Sequence, residues 1–472
     1  MATKTGYREG LSRDLCGTLA ALRYEDLPAD LVGRVKLFLL DTLGVIGGAA
    51  NAPGIPALNG RLGAWEGHGR CTALVGGWQG SPPAAALANG AAGHALDFDD
   101  QHDPARTHSY CVVLPAVLAA AQELGGIDGR RFVAATAIGV ELHARLGLAC
   151  YNSIGKGWHP TTALGALASA VAAGHVLGLD GERMLDAFGL AYHQMSGTRQ
   201  PLVDGVLAKR LGPGFAARNG VTAAFLAADG LTGIKRVLEG EAGLFTLYER
   251  GEVDLDQLMG GLGERWEAGN LSMKPYPCCR CNHPTIQLAL EMRDRGVSPE
   301  QIEGGVIRMG EVNSECVGAH YDPSTSSSPV VHAQFNAAFS FARALIDGHI
   351  DVRSYAEDRI NDPAVIALAQ RFRVESDPAI EATALEPARV ELRLAGGKVE
   401  KATRDTVKGS PVEPMSEDEI MDKFRTNMAF GLGAGRAESQ TLADAVLSLE
   451  TLPDATEIAV RFPRPALRRA AS

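Results

Sequence analysis

Apolar side chains recur every three or four positions through most of the first half of the chain, the repeat that gives a helix one buried face. Leu31–Val45 carries it between Pro28 and Gly47, residues suited to a helix start and stop. The same repeat predicts helices over Pro82–Ala95, Leu114–Leu124, Arg131–Leu146, Thr161–Leu177, Gly181–Ser196 and Ala216–Asp229. Several are rich in Ala and Gly, as in Ala163–Ala173, so helix backbones can approach one another closely. After Pro275 the pattern changes. Gly305–Met309, Val390–Leu394 and Lys398–Ala402 alternate or carry β-branched residues and read as strands, with a helix over Ala333–Ile346 between them. Helical spacing returns in Ser416–Thr426 and Gln440–Leu449. The expected fold is mainly α: a large all-helical domain built from both chain ends (1–267 and 408–472), with a smaller α+β domain (268–407) inserted between them.

Length and composition narrow this further. A chain of 472 residues can bury a large core over two or three domains, and 46% hydrophobic with 21% charged residues is ordinary for a globular protein. The net charge of -11 repels nucleic acid and anionic membranes. It does not exclude an anionic substrate, because a pocket is governed by its own Lys, Arg and His. No apolar run reads as long enough to span a bilayer, and the opening MATKTGYREGLSRDL lacks the apolar stretch of a secretory signal. Of the eight cysteines, five are scattered singly, so they read as reduced thiols. A cytoplasmic protein with neither nucleic-acid nor membrane partners is expected.

Four segments carry candidate chemistry. Aspartates and histidines crowd residues 93–108, from Gly93-His94-Ala95-Leu96-Asp97 to Thr107-His108, just after an Ala-rich helix. They suit helix capping, metal binding or proton transfer. Gly157-Trp158-His159-Pro160 opens another helix; an imidazole at that N-terminus is kept neutral by the helix dipole, and the free N–H groups there favour a carboxylate. On position alone His159 reads slightly better as a plain cap. Lys209-Arg210 precedes what reads as a Gly212-Pro213-Gly214 turn, where a buried ammonium would need a carboxylate partner. Lys274-Pro275-Tyr276-Pro277-Cys278-Cys279-Arg280-Cys281-Asn282-His283 offers alternating Cys279, Cys281 and His283, an incomplete ligand set that predicts no metal. The glycines of 431–435 follow a helical stretch, so they make a poor dinucleotide fingerprint, and no Walker loop or Gly-x-Ser-x-Gly elbow occurs.

In this order, the segments resemble the MmgE/PrpD family. The residues carrying the match are GHALDFDD (93–100), THSYCVVLPA (107–116), GWHPTTALGA (157–166), LAKRLGPGFAARNGV (207–221) and KPYPCCRCNHP (274–284), followed by HYDPSTSS (320–327) and HAQFNAAFSFA (332–342). The resemblance implies a helical domain with an inserted α+β lid, a homodimer, no cofactor and no metal. It implies catalytic roles for Asp97, His108, His159, Lys209, His283 and Tyr321, with Gln101, Arg106, Lys274 and Arg210 as substrate-binding candidates. Departures lie beside the presumed pocket: Gln101 stands where relatives often carry a small hydroxyl residue, the loop to His108 contains Arg106 and is one residue longer than in the decarboxylase, and Gly212 replaces a histidine.

The implied chemistry is removal of a proton next to a carboxylate of a small di- or tricarboxylate. Such a carbanion needs a base of near-neutral pKa and cations aimed at the developing charge. His159 is the expected base and His108 the acid, with Lys209 and His283 clamping carboxylates, Asp97 orienting a histidine and Tyr321 relaying a proton. Dehydration of a 2-methylcitrate-like acid is the leading expectation, with epimerisation of an iminodisuccinate-like acid or cis-aconitate-type decarboxylation behind it. The rivals of another class are a non-catalytic binding member of the family and an iron–sulfur hydratase using Cys278, Cys279 and Cys281.

Overall fold

Small side chains set how the helices stack. In the computed structural model, which describes residues 7–150, 157–250 and 252–464, the longer body helices are α1 (Leu11–Ala21), α2 (Ala29–Gly48), α3 (Ile55–Glu66), α4 (Pro82–His94), α5 (Tyr110–Leu124), α6 (Gly129–Ala149), α7 (Pro160–Leu177), α8 (Gly181–Tyr192) and α9 (Ala208–Ala228). A Cβ on Gly90 of α4 would lie 2.8 Å from the Gly214 Cα of α9, and one on Gly220 would lie 2.4 Å from the Ser169 Cβ of α7. Gly212-Pro213-Gly214 is therefore not a turn. Helix α9 runs through it, and the glycines serve close approach to α4 and α7. The body is not wholly helical: strands Cys71–Ala73 (β1) and Trp78–Gly80 (β2) pair as a short antiparallel ladder.

Two helices, α6 and α7, are long and apolar enough to cross a membrane by length and composition, contrary to the sequence expectation. In each, 94% of the apolar window is buried inside the fold, so their apolarity is that of core helices.

The α+β part is a four-stranded sheet in the order β4-β3-β5-β6, formed by Ile302–Met309 (β3), Phe372–Ser376 (β4), Ala388–Leu394 (β5) and Val399–Arg404 (β6). Strand β3 runs parallel to β4 and antiparallel to β5, which runs antiparallel to β6. Helices α10 (His283–Asp294) and α11 (Ala337–Asp347) pack with it in a core of their own, spanning Cys278 to Leu394. The helix expected over Ala333–Ile346 is broken. Pro329–Gln334 ends before Asn336, whose side chain accepts from Phe339 N at 2.9 Å and caps α11.

The chain then returns to the body through α12 (Glu417–Leu432) and α13 (Arg436–Leu447), whose residues share one core with Leu27 to Met273. Glycine again sets the contact, since a Cβ on Gly47 of α2 would stand 2.5 Å from Met428 Sδ of α12. Beside it the buried Lys423 Nζ lies 2.7 Å from Asp41 Oδ1 and donates to Phe98 O at 2.9 Å. Lys423→Met strands the Asp41 carboxylate in the core and is expected to cost ~3–5 kcal/mol in urea unfolding. The double variant Asp41→Leu/Lys423→Met should recover most of that loss, because the pair is then replaced by apolar contact.

Candidate active site

A cavity of about 1050 Å³ opens between the body and the α+β part, with Asp97, His108, His159, Lys209 and Lys274 among its walls. The loop after α4 builds its floor. His94 ends α4, and three residues on Asp97 takes φ 53, a left-handed conformation that Asp tolerates better than most side chains. That turn lets one carboxylate meet two cations. Asp97 Oδ2 lies 2.7 Å from Lys209 Nζ, and Oδ1 lies 2.7 Å from Lys274 Nζ, which also donates to Asp97 O at 3.0 Å. Lys209 comes from the first turn of α9, and Lys274 from the segment that leads out of the body. Burial alone would raise the Asp97 pKa, but the two ammonium groups overcome it and hold the carboxyl well below its usual range. Burial would lower the Lys274 pKa, and Asp97 with Asp99 raises it instead. Two ammonium groups against one carboxylate leave the trio one surplus positive charge.

A second buried carboxylate organises the imidazoles. Asp99 Oδ2 lies 2.7 Å from His94 Nδ1 and 3.5 Å from His108 Nδ1. His108 Nδ1 also stands 2.6 Å from Asp100 O, and a carbonyl can only accept, so Nδ1 carries the proton and Nε2 keeps its lone pair. Burial pushes His108 down to about 3 against the pull of Asp99, with Lys274 adding to the effect. Asp100 receives Ser109 N at 2.8 Å and Tyr110 N at 3.0 Å, capping α5 and fixing the loop. The half-buried His159 stands at the N-cap position of α7, its ring 6.0 Å from that of His94 and its Nδ1 3.0 Å from Thr162 Oγ1. Burial, helped by His94 and Lys209, holds it well below the ordinary histidine value.

Some expectations need correction. Asp97 does not orient a histidine; it neutralises lysines, and Asp99 orients the imidazoles. His283, at the start of α10, turns into the α+β core, with its ring 5.3 Å from Tyr276 and Nε2 3.4 Å from Cys278 O. Tyr321 is also in that core: its hydroxyl donates to Ile360 O at 2.8 Å, and its ring stacks on His332. Arg210 points away from Lys209 and donates to Pro53 O at 2.9 Å. None of these three lines the cavity. Gln101 and Arg106 do; Gln101 Nε2 donates to Asp103 Oδ1 at 3.1 Å and Arg106 Nη2 to Thr383 O at 2.6 Å. Gly212 has a steric cause, since a Cβ there would stand 2.3 Å from Thr162 Oγ1, the atom that holds His159. Sequence reasoning missed Asp99 and Arg280 as site residues. Arg280 reaches the cavity wall while bound to Asp103 at 3.2 Å and Glu386 at 3.3 Å.

Comparison with known proteins agrees with this architecture. A model of the MmgE/PrpD N-terminal domain matches residues 13–256, and one of the MmgE/PrpD C-terminal domain matches residues 276–449. The cis-aconitate decarboxylase-like protein oryM of Aspergillus oryzae is 29% identical, over 95% of this chain and 96% of its own. A cis-aconitate decarboxylase of Aspergillus terreus is 28% identical, over 96% of this chain and 95% of its own. The cis-aconitate decarboxylase of Homo sapiens is 29% identical, over 83% of this chain and 81% of its own.

The buried imidazoles set a pH dependence of stability. His108 and the fully buried His143 both refuse a proton until about pH 3, chiefly because burial penalises their charged form. Unfolded histidine accepts one below about pH 6.5. The unfolded state therefore binds more protons in that window, and stability falls as pH falls, by ~1.4 kcal/mol per pH unit per group. Urea unfolding between pH 6.5 and 4.5 should show this decline, offset by one group at Asp100, which burial and Asp99 push up to about 8, and His108→Gln should make it shallower.

Proposed function

The chain belongs to the MmgE/PrpD family and is a lyase-type enzyme, and from that premise we propose that it decarboxylates a small unsaturated tricarboxylate of the cis-aconitate class, using side chains alone. The observation that carries this reading is a buried cluster of two lysines and one carboxylate facing two neutral imidazoles around one cavity. The surplus charge of the cluster seeks a carboxylate, and Arg106, Arg280 and Gln101 line the same cavity to receive others.

When a carboxylate leaves as carbon dioxide, its bonding pair stays on carbon. In an unsaturated polyacid that pair spreads onto the oxygens of a neighbouring carboxylate, where fixed cations lower the barrier. Lys209 and Lys274 are those cations. The carbanion then takes one proton, so the balance is one carboxylate and one proton in, one carbon–hydrogen bond and one carbon dioxide out. The proton comes from an imidazolium. His108 and His159 are neutral in the free cavity, because burial and the lysines disfavour their charge. A trianion arriving beside them reverses that balance, so substrate enters with a proton that His108 accepts at Nε2 or His159 at its ring. Dehydration of a 2-methylcitrate-like acid, favoured on sequence, begins from a similar carbanion. Decarboxylation is put first because full-length relatives carry that activity in their names.

The decisive measurement is NMR in deuterated water with cis-aconitate, 2-methylcitrate and an iminodisuccinate-like acid offered in turn. One carbon dioxide and one carbon-bound deuterium per product from cis-aconitate are expected. Water loss from 2-methylcitrate alone would replace decarboxylation by dehydration, and no turnover of any acid would refute the reading. His108→Gln and Lys274→Met should each lower kcat by ~10²–10⁴-fold.

Gly212→Ala tests the steric support of His159. The added methyl displaces Thr162, so a fall of about 10²-fold in kcat is expected, with a loss of only ~1–3 kcal/mol in urea unfolding from the crowded α7–α9 contact.

A further inference from the structure

Three thiols meet on the cavity wall, from parts of the sequence that no short motif joins. Cys279 caps the short turn Arg280–Asn282 and Cys281 sits within it, while Cys316 comes from the helix Glu311–Val317. Their sulfurs all lie within 4.8 Å of one another, and all three residues line the cavity. Cys281 is buried, Cys279 and Cys316 are half-buried, and all are free thiols. Cys281 Sγ is also 3.3 Å from Asn313 Oδ1, which fixes it from behind. Cys278, which sequence alone would have grouped with its neighbours, stays outside the trio, and so does His283.

The spacing suits an ion. Zinc sits about 2.3 Å from a thiolate sulfur, so three sulfurs around one such ion stand roughly 4 Å apart. A set made only of sulfur, with no carboxylate, selects thiophilic cations over magnesium or calcium. The neighbouring sulfurs and burial push the Cys279 and Cys281 thiols up, so an ion must displace their protons. Hydrogen bonds from Cys279 and Cys281 hold the Cys316 thiol below the usual range.

We propose that Cys279, Cys281 and Cys316 form a three-sulfur site for a soft d10 cation of the zinc, cadmium and copper(I) class, with its fourth position open to the cavity. Binding exchanges the thiol protons for metal–sulfur bonds, with no change of oxidation state. The site shares its cavity with His108, Lys209 and Lys274, so a bound ion narrows the space offered to an organic anion. The inference rests on the thiol geometry and stands whatever the reaction.

The test uses the whole chain, reduced and stripped with a chelator, then titrated with zinc chloride and with cadmium chloride. The expected result is one ion per chain, a sulfur-to-cadmium charge-transfer band, and protection of the half-buried Cys279 and Cys316 from a thiol reagent. Cys316→Ser should weaken binding by more than about 100-fold, beyond the cost of losing a supporting residue. Should that variant fail to fold, Cys281→Ser and the thiol protection in the unaltered chain give the same answer. The proposal is overturned if cadmium produces no such band in the reduced chain, or if zinc binds equally to Cys279→Ser/Cys281→Ser/Cys316→Ser.

Discussion

Two ammonium groups sharing one carboxylate, all three withdrawn from water, set the conditions for everything around them. Taking an ion out of water costs several kcal/mol, repaid only by close opposite charge and full hydrogen bonding. Asp97 repays one lysine completely and the other only by division. Lys209 finds further relief over the Phe335 ring, 5.0 Å from its centroid. The positive charge that remains is met only in part, by Asp99 acting on Lys274, so the cavity is set for an anion inside a chain whose net charge is -11. The left-handed backbone at Asp97 serves this sharing, since it lets both carboxylate oxygens and the main-chain carbonyl face cations.

The neutral histidines follow first from burial, to which the lysines add. An imidazole withdrawn from water beside ammonium groups resists a proton, although Asp99 stands close enough to attract one. Such a ring is a base in waiting rather than a resident acid. It becomes an acid when the incoming ligand brings negative charge, so proton inventory and occupancy of the cavity are coupled.

Much of this architecture was legible in the residues. The 3.6 repeat and the small side chains of α7 gave the stacked helices, and alternation gave β3, β5 and β6. Strand β4 was not legible, because Phe372–Ser376 is a mostly polar edge strand whose pairing with β3 is set at long range. Glycines 212 and 214 misled for a physical reason: glycine marks both turns and close helix contacts, and only the partner helix tells them apart. At the site, Lys209 and Asp97 were visible as chemistry, but not as each other's partners. A motif gives a residue's address without the direction of its side chain. Arg210 and His283 therefore read as site residues while facing other surroundings, and Cys316 lay too far along the chain to be grouped with Cys279.

The way α12 lies on α2 bears on how the protein is made. Asn51 Nδ2 donates to Gly431 O across 380 residues of sequence, and Asp41 waits for Lys423 over a similar span. While the chain emerges from the ribosome, the glycine face of α2 and a buried carboxylate stay uncovered until nearly all of it has been synthesised. Maturation of the body is thus a late event, and the α+β part, whose core is contiguous in sequence, is free to form first. Chaperone demand should concentrate on that interval, when a groove lined by Gly44, Gly47 and Gly48 offers other chains a place to bind.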